Sequence, residues 1–233
     1  MPKAPRPWTV TPHSPFQKLE DNIWLVTSNV PGTPMMRRMA VIRRSDGKLV
    51  FYQAVPLEEQ AIAELKAWGT PAFLIVPHDQ HGIDAPAFAQ RLGLNIYGPK
   101  SSEAKMRVKF PMAGTLEDIP ADPDVSFESM AGTKTGEPVA IVKSGHRTTL
   151  IFADAYMATP SQGLALPLRI LGFGGGPRIA PIFKMFFLAD RTALKNHLQR
   201  LAELPGLAHL VPCHGLVEST RPAETLRRVA NTL

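Results

Sequence analysis

Phe73-Leu74-Ile75-Val76-Pro77-His78-Asp79-Gln80-His81-Gly82 changes character halfway along. Four apolar residues, two of them β-branched, run into a proline and then into two histidines with an acid and an amide between them. A short apolar run bounded by Pro and Gly reads as a buried strand. The polar residues therefore stand at its exit, where α/β folds place binding chemistry. Two later runs have the same form. Thr149-Leu150-Ile151-Phe152-Ala153-Asp154 ends in an acid, and Ala208-His209-Leu210-Val211-Pro212-Cys213-His214-Gly215 ends in a histidine. Three apolar runs that deliver His, Asp and His are the pattern to explain.

The elements around these runs alternate. Leu19–Thr27 reads as a first strand, and Met39–Arg44 and Lys48–Tyr52 as a hairpin turned at Asp46-Gly47. Leu57–Trp68 has helical apolar spacing and ends at Gly69. The strand Ala72–Val76 follows, then a helix over Pro86–Leu92 stopped at Gly93, then a short strand over Asn95–Tyr97. Strand, helix, strand in this order predicts a parallel pair with a crossover. Pro111–Asp124 reads as loop. Val125–Met130 and Pro138–Lys143 read as strands on either side of Gly132-Thr133-Lys134-Thr135-Gly136. Asp190–Leu204 is the clearest helix, with Asp190 as N-cap and Leu194, Leu198, Leu201 and Leu204 on one face. His197 beside that face reads as a surface residue. A strand over Leu207–Val211 and a helix over Pro222–Val229 close the chain.

Composition bounds the answer. The chain has 233 residues, 44% of them hydrophobic, which suffices for a substantial core. No apolar run approaches the roughly 20 residues that span a bilayer. Five prolines in the first fifteen residues predict an irregular leader over residues 1–18. That leader lacks the apolar centre of a signal peptide, so a cytoplasmic setting is expected. The single cysteine, Cys213, excludes an internal disulfide. A formal net charge of +6 is modest for the length, and its basic residues are scattered without a zinc-finger or RNA-binding signature, so no nucleic-acid partner is expected. Residues 159–188 stand apart: they hold Gly174-Gly175-Gly176, several prolines and many apolar residues, and end in Pro181-Ile182-Phe183-Lys184-Met185-Phe186-Phe187-Leu188. They read as an apolar insertion serving as a lid, an oligomer surface or a membrane-surface contact, with ordinary packing as the plainer alternative. The basic apolar stretch from Arg169 to Lys184 adds a third, weaker option, a membrane-surface or nucleic-acid role.

The order of elements and the three strand exits resemble the metallo-β-lactamase superfamily, over about Leu19 to Leu233 as a single domain. The resemblance implies an α/β (α+β) fold, a four-layer αββα sandwich. The family's first motif is His-x-His-x-Asp-His after a strand. Registered here from the following helix and strand, it falls on Val76, His78, Gln80 and His81. A shift of three residues places His81 on the second histidine and Asp84 on the last. The family's next histidine lies in a Gly-His-Thr-x-Gly turn, where this chain has Thr133. Its bridging aspartate matches Ala153-Asp154-Ala155, and its final ligand matches Pro212-Cys213-His214-Gly215.

His78, His81, Asp154 and His214 thus survive, and Val76, Gln80 and Thr133 depart. The resemblance implies an empty first-metal position. The second keeps His81, Asp154 and His214, with neutral Gln80 in place of a carboxylate. Two His and one Asp suit a single Zn, Fe or Mn ion, with His78 and Asp154 as candidate catalytic groups. One reading is a mononuclear hydrolase of ester-like, thioester-like or phosphoester-like bonds in a small-molecule substrate. The other is a metal-free, inactive member that binds a ligand or a protein, with the apolar insertion as a homo-oligomer surface. Plainer roles stand beside these: loop or cap hydrogen bonds for Asp154 and His214, solvated or capping acids for Asp79 and Asp84, and a small residue in a tight turn for Cys213. His146 reads as a surface residue, and His13 and His209 carry no pattern.

Overall fold

Long stretches of unbroken burial mark the central strands of the computed structural model, which describes residues 6–162 and 174–233. The chain divides into two compact units, Met1–Ser126 and Phe127–Leu233.

In the first unit, β1 (Gln17–Glu20), β2 (Ile23–Asn29), β3 (Met36–Arg43) and β4 (Lys48–Tyr52) form an antiparallel meander. The single strand expected over Leu19–Thr27 is instead two, because Asp21-Asn22 forms a tight turn between them. The β3–β4 turn matches its sequence signal: Gly47 has φ +79°, and Asp46 Oδ1 accepts from the Lys48 amide at 3.0 Å. The chain then alternates through α1 (Glu59–Trp68), β5 (Thr70–Ile75), α2 (Ala85–Leu92), β6 (Asn95–Gly98), α3 (Glu103–Lys109) and β7 (Met112–Thr115). β4, β5, β6 and β7 pair in parallel, completing a seven-stranded sheet in chain order. Gly93 ends α2 in the left-handed region, at φ +68°. One core gathers Trp24, Val41, Phe51 and Leu74 of the sheet with Ile62, Leu65, Phe88 and Leu92 of the helices. The leader is not idle: Trp8 stacks on Phe88 of α2 at 5.8 Å.

Two elements of the first unit, α3 and β7, are absent from the sequence reading. α3 buries only Met106, so it shows no apolar period, and its Glu103–Arg107 pair at 2.8 Å supports it from outside. Pro111–Asp124, expected as loop, holds β7 and a short 3₁₀ turn over Leu116–Asp118. There the Asp118 carboxylate accepts from the Thr115 amide at 2.7 Å.

The boundary between the units falls on β8 (Val125–Ser129). The second sheet has four strands, ordered β11 (Leu207–Pro212), β10 (Arg147–Phe152), β9 (Pro138–Ser144), β8. β9 and β10 are antiparallel, and β10 and β11 are parallel. α4 (Pro181–Phe186), α5 (Arg191–Ala202) and α6 (Pro222–Ala230) belong to this unit. Asp190 caps α5 as expected, accepting from the Ala193 amide at 3.0 Å. Leu194, Leu198 and Leu201 of α5 join Leu226 and Val229 of α6 and Leu150, Phe152 and Leu210 of the sheet in a second core. His197, expected on the surface, has a side chain only 8% exposed and accepts from the Ala131 amide at 2.9 Å. Burial and the Arg200 charge push its pKa down against the opposing pull of Glu128. The apolar insertion expected over 159–188 lies partly outside the described residues. Among the described residues no helix is long and apolar enough to cross a membrane.

Candidate functional site

Parallel strands deliver their exits to one sheet edge, which is why sequence-distant residues meet there. In the first unit Tyr52 of β4 pairs with Ile75 of β5, and the Gln53 amide donates to the Ile75 carbonyl at 2.9 Å. Gln53 therefore arrives beside the histidine loop. It has φ +68°, the one positive φ outside glycine among the described residues. Such backbone persists only where surrounding structure enforces it. Its side-chain Nε2 lies 2.9 Å from His81 Nδ1.

His78 is buried, and its ring centroid lies 4.3 Å from that of His81. The loop is folded on itself: the His81 amide donates to the His78 carbonyl at 3.0 Å, and the Gln80 amide donates to His78 Nδ1 at 3.3 Å. The Gln80 side chain is exposed, so the carboxamide found against His81 belongs to Gln53. Val76, at the register of the family's leading histidine, is packed in the first core. Asp79 is bound by Lys109 at 2.6 Å. Burial raises the Asp79 pKa, but the Lys109 hydrogen bond and the charges of Lys109, His78 and Lys105 outweigh it and hold the carboxyl below its usual range. Asp84 is buried against Arg37, with Nη1 to Oδ2 at 2.6 Å, and Arg37 Nη1 also reaches the Ala54 carbonyl at 3.4 Å. This pair ties β3 and the Gln53-Ala54 corner to the end of the histidine loop.

In the second unit Phe152 of β10 pairs with Pro212 of β11, and the Cys213 amide donates to the Phe152 carbonyl at 2.9 Å. Asp154 and His214 leave that edge together, with His214 Nε2 3.5 Å from Asp154 Oδ1. Buried Glu137 holds the aspartate loop, its Oε1 accepting from the Asp154 amide at 3.1 Å and the Ala155 amide at 2.5 Å. The His214 carbonyl accepts from the Ala158 amide at 3.0 Å. Gly215 beside it has φ +115°, and an added Cβ would lie 2.1 Å from the Ala158 carbonyl carbon. Only glycine fits this crossing of chains. Thr133 closes a local turn, donating to the Met130 carbonyl at 2.8 Å and accepting from the Gly136 amide at 3.0 Å. Cys213 is buried in its turn.

Among the remaining histidines, His209 and His13 make hydrogen bonds within the fold. His209 lies between Arg147 Nη2 at 2.7 Å and Ser219 Oγ at 2.6 Å. His13 Nε2 accepts from the Glu58 amide at 3.3 Å, and His146 is exposed. The sequence reading missed Gln53, Glu137 and Arg37. Gln53 alone carried a signal, since it directly follows an apolar strand, as His78 and Asp154 do.

Each unit thus presents a pair of side chains of types that can ligate a metal: two imidazoles at the strand exit of the first, and a carboxylate with an imidazole at that of the second. Nitrogen and oxygen donors of this kind suit Zn, Fe or Mn. With Gln53 against its Nδ1, His81 has Nε2 as its remaining ring nitrogen; a carboxamide turned so that its oxygen faces the ring would accept the Nδ1 proton, as the partner of a ligating imidazole does.

No protein-family model matches the chain, and no curated protein matches it in sequence. Solved structures do match. DIM-1 metallo-β-lactamase exposed to ceftazidime aligns over 96% of this chain and 99% of its own, at TM-score 0.63 and 17% identity. The metallo-β-lactamase from Pontibacter korlensis aligns over 94% and 99%, at TM-score 0.59 and 15% identity. The metallo-β-lactamase from Erythrobacter litoralis, with β-mercaptoethanol in its active site, aligns over 94% and 96%, at TM-score 0.61 and 13% identity. Identities this low speak to architecture alone, and the architecture agrees nearly end to end: this chain has the metallo-β-lactamase fold.

Proposed function

We propose that the chain is a metal-dependent hydrolase with at most one metal ion, held by His81, Asp154 and His214. The observation that carries this reading is the placement of ligand-type residues as pairs, His78 with His81 and Asp154 with His214, at the exits of buried strands. Two imidazoles and one carboxylate form a sound set for a single Zn, Fe or Mn ion with open positions for substrate. When bound, such an ion supplies Lewis-acid polarisation of a carbonyl or phosphoryl oxygen and acidifies a water. The protein's own groups do the rest. Gln53, with its carboxamide turned so that the oxygen accepts from Nδ1–H, orients His81 and leaves its Nε2 lone pair free. Glu137 fixes the backbone that carries Asp154, whose carboxylate accepts a proton as well as a hydrogen bond. His78, buried and close to His81, is the proton donor for a leaving group. The substrate class is an ester, thioester or phosphoester of a small molecule, and a reducing cytoplasmic setting accords with the single cysteine.

A specific observation also favours the second reading, a ligand-binding protein without catalysis. Val76 is a core residue and Thr133 closes a turn, so neither offers a donor where the family has histidine. Elemental mass spectrometry of the untagged protein and of His214→Ala separates the two. About one equivalent of a transition metal, lost in the variant, is expected and directs a screen of ester, thioester and phosphoester hydrolysis. No metal in the wild type after reconstitution with Zn²⁺ and Mn²⁺ eliminates the hydrolase.

A further inference from the structure

Arg37 is a buried cation that its surroundings serve poorly. Its side chain is 6% exposed and its ion-pair partner Asp84 is 3% exposed, with Nη1 to Oδ2 at 2.6 Å. Nη1 also donates to the Ala54 carbonyl at 3.4 Å. Nε and Nη2, the edge on which a guanidinium takes an anion bidentately, are buried and have no hydrogen-bond partner among the described residues. Asp84 is committed to the same pair. It stands at the N-cap of α2, yet its side chain makes no capping hydrogen bond. Two buried charges add stability only where further hydrogen bonds complete them, and this guanidinium lacks them. Stability therefore does not explain the pair, whereas its place in the fold does. The pairing of β3 with β4 ends at Ala40 and Tyr52. Beyond that point the chain turns through Gln53, Ala54 and Val55. Two side chains from one face of β3 hold this corner: Met39 Sδ accepts from the Val55 amide at 3.4 Å, and Arg37 takes the Ala54 carbonyl. Gln53 lies within the corner at φ +68°, a backbone that its surroundings must enforce. Through Asp84 the same guanidinium nitrogen holds the end of the histidine loop, three residues after His81. The side chains of Gln53 and His81 meet between these two anchor points, at 2.9 Å.

We propose that Arg37, with Asp84, is a positioning residue that sets the Gln53–His81 contact and adds little to the stability of the fold. It acts through Gln53 on the imidazole and touches no substrate. Its use to a hydrolase rests on the reading of His81 as a metal ligand, but the contact is present without metal and is measured there.

The test is nitrogen NMR of the imidazoles in the metal-free full chain, at one mildly alkaline pH, with His81→Asn to assign the His81 signals. It gives the ratio of the two His81 ring tautomers, and urea denaturation gives stability. The wild type is compared with Gln53→Ala and with two neutral pairs, Arg37→Met with Asp84→Asn and Arg37→Leu with Asp84→Ser. Both neutral pairs remove the two charges together and leave a residue that can cap α2. Gln53→Ala is expected to relax the tautomer ratio by about 2–10-fold, the worth of one hydrogen bond. A neutral pair is expected to keep the wild-type urea midpoint and yet to show the relaxed ratio. Added to Gln53→Ala, it is expected to change the ratio no further. Metal content, which decides the hydrolase reading, does not enter. Four outcomes overturn the proposal. The first is a wild-type ratio in a folded neutral pair. The second is an unchanged ratio in Gln53→Ala, which leaves no contact to set. The third is a further change when a neutral pair is added to Gln53→Ala. The fourth is loss of the fold in both neutral pairs, which makes the ion pair structural.

Discussion

The Gln53 side chain lies 2.9 Å from His81 Nδ1, across a separation of 28 residues in the chain. A carboxamide is a donor on one side and an acceptor on the other. With its NH₂ toward the ring, as the side chain stands here, it donates to Nδ1 and leaves Nε2 protonated. With its oxygen toward the ring it fixes the proton on Nδ1 and leaves the Nε2 lone pair free for a metal. Gln53→Ala is therefore expected to weaken metal binding by about 10–100-fold. Gln53→Glu, which can only accept when ionised, is expected to bind metal at least as tightly as wild type. Competition with a chromogenic chelator measures both. Equal affinities in all three proteins remove Gln53 from the site.

Glu137 acts on the other unit's pair through the backbone. Its buried carboxylate accepts from two consecutive amides, those of Asp154 and Ala155. Hydrogen bonds to a charged group contribute about 1.5–3 kcal/mol each, and burying the freed amides costs more. Glu137→Ala is expected to destabilise by about 3–6 kcal/mol. Glu137→Gln keeps an oxygen in place and is expected to lose less than half of that. Urea denaturation reads both, and an alanine variant as stable as wild type contradicts the assignment.

Much of this was legible in the sequence, and the limits have a physical cause. β5, β10 and β11 are buried strands, and such strands read as unbroken apolar runs. Their polar exits, His78, Asp154 and His214, therefore stand out. α5 was legible because Leu194, Leu198 and Leu201 repeat at helical spacing and Asp190 caps them. α3 was not, because one buried residue makes no period. Gln53 and Glu137 escaped for a different reason. Their importance lies in what parallel pairing or a long return sets beside them, and nothing local to Gln53 or Glu137 marks a partner 28 or 17 residues away. Gln80 was the plausible amide by proximity in sequence, and Gln53 is the amide by proximity in space.

Gly215 follows His214 where two chains cross. At φ +115° it occupies backbone that a side chain rarely adopts, and a Cβ there overlaps Ala158 and Thr159 backbone atoms. Gly215→Ala is expected to cost more than about 2 kcal/mol and to shift His214 away from Asp154. Thermal unfolding of the metal-free protein gives the first effect. A stable variant with unaltered melting shows that the crossing can relax.

Asp122 offers a test by pH within the first unit alone. Its Oδ2 accepts from the Ser45 hydroxyl at 2.7 Å and the Ser45 amide at 3.1 Å, and its Oδ1 accepts from the Asp124 and Val125 amides at 3.0 Å. Burial raises its pKa, but the Ser45 and Asp124 hydrogen bonds and the Arg44 charge outweigh burial and hold it below the usual carboxylate range. The folded chain thus prefers the ionised form more strongly than the unfolded chain does. The resulting stability is complete above the unfolded value of about 3.9 and drains away as pH falls through the lower folded value. Asp122→Asn cannot ionise, and it places an amide NH₂ where one oxygen accepted. At neutral pH it is expected to be less stable by about 1–3 kcal/mol. Because the wild type loses this contribution in acid and the variant has none to lose, the gap between their urea midpoints should narrow as pH is lowered below about 4. A gap that stays constant from neutral pH into acid shows that the Asp122 charge does not hold the Ser45 turn against the residues that lead into β8.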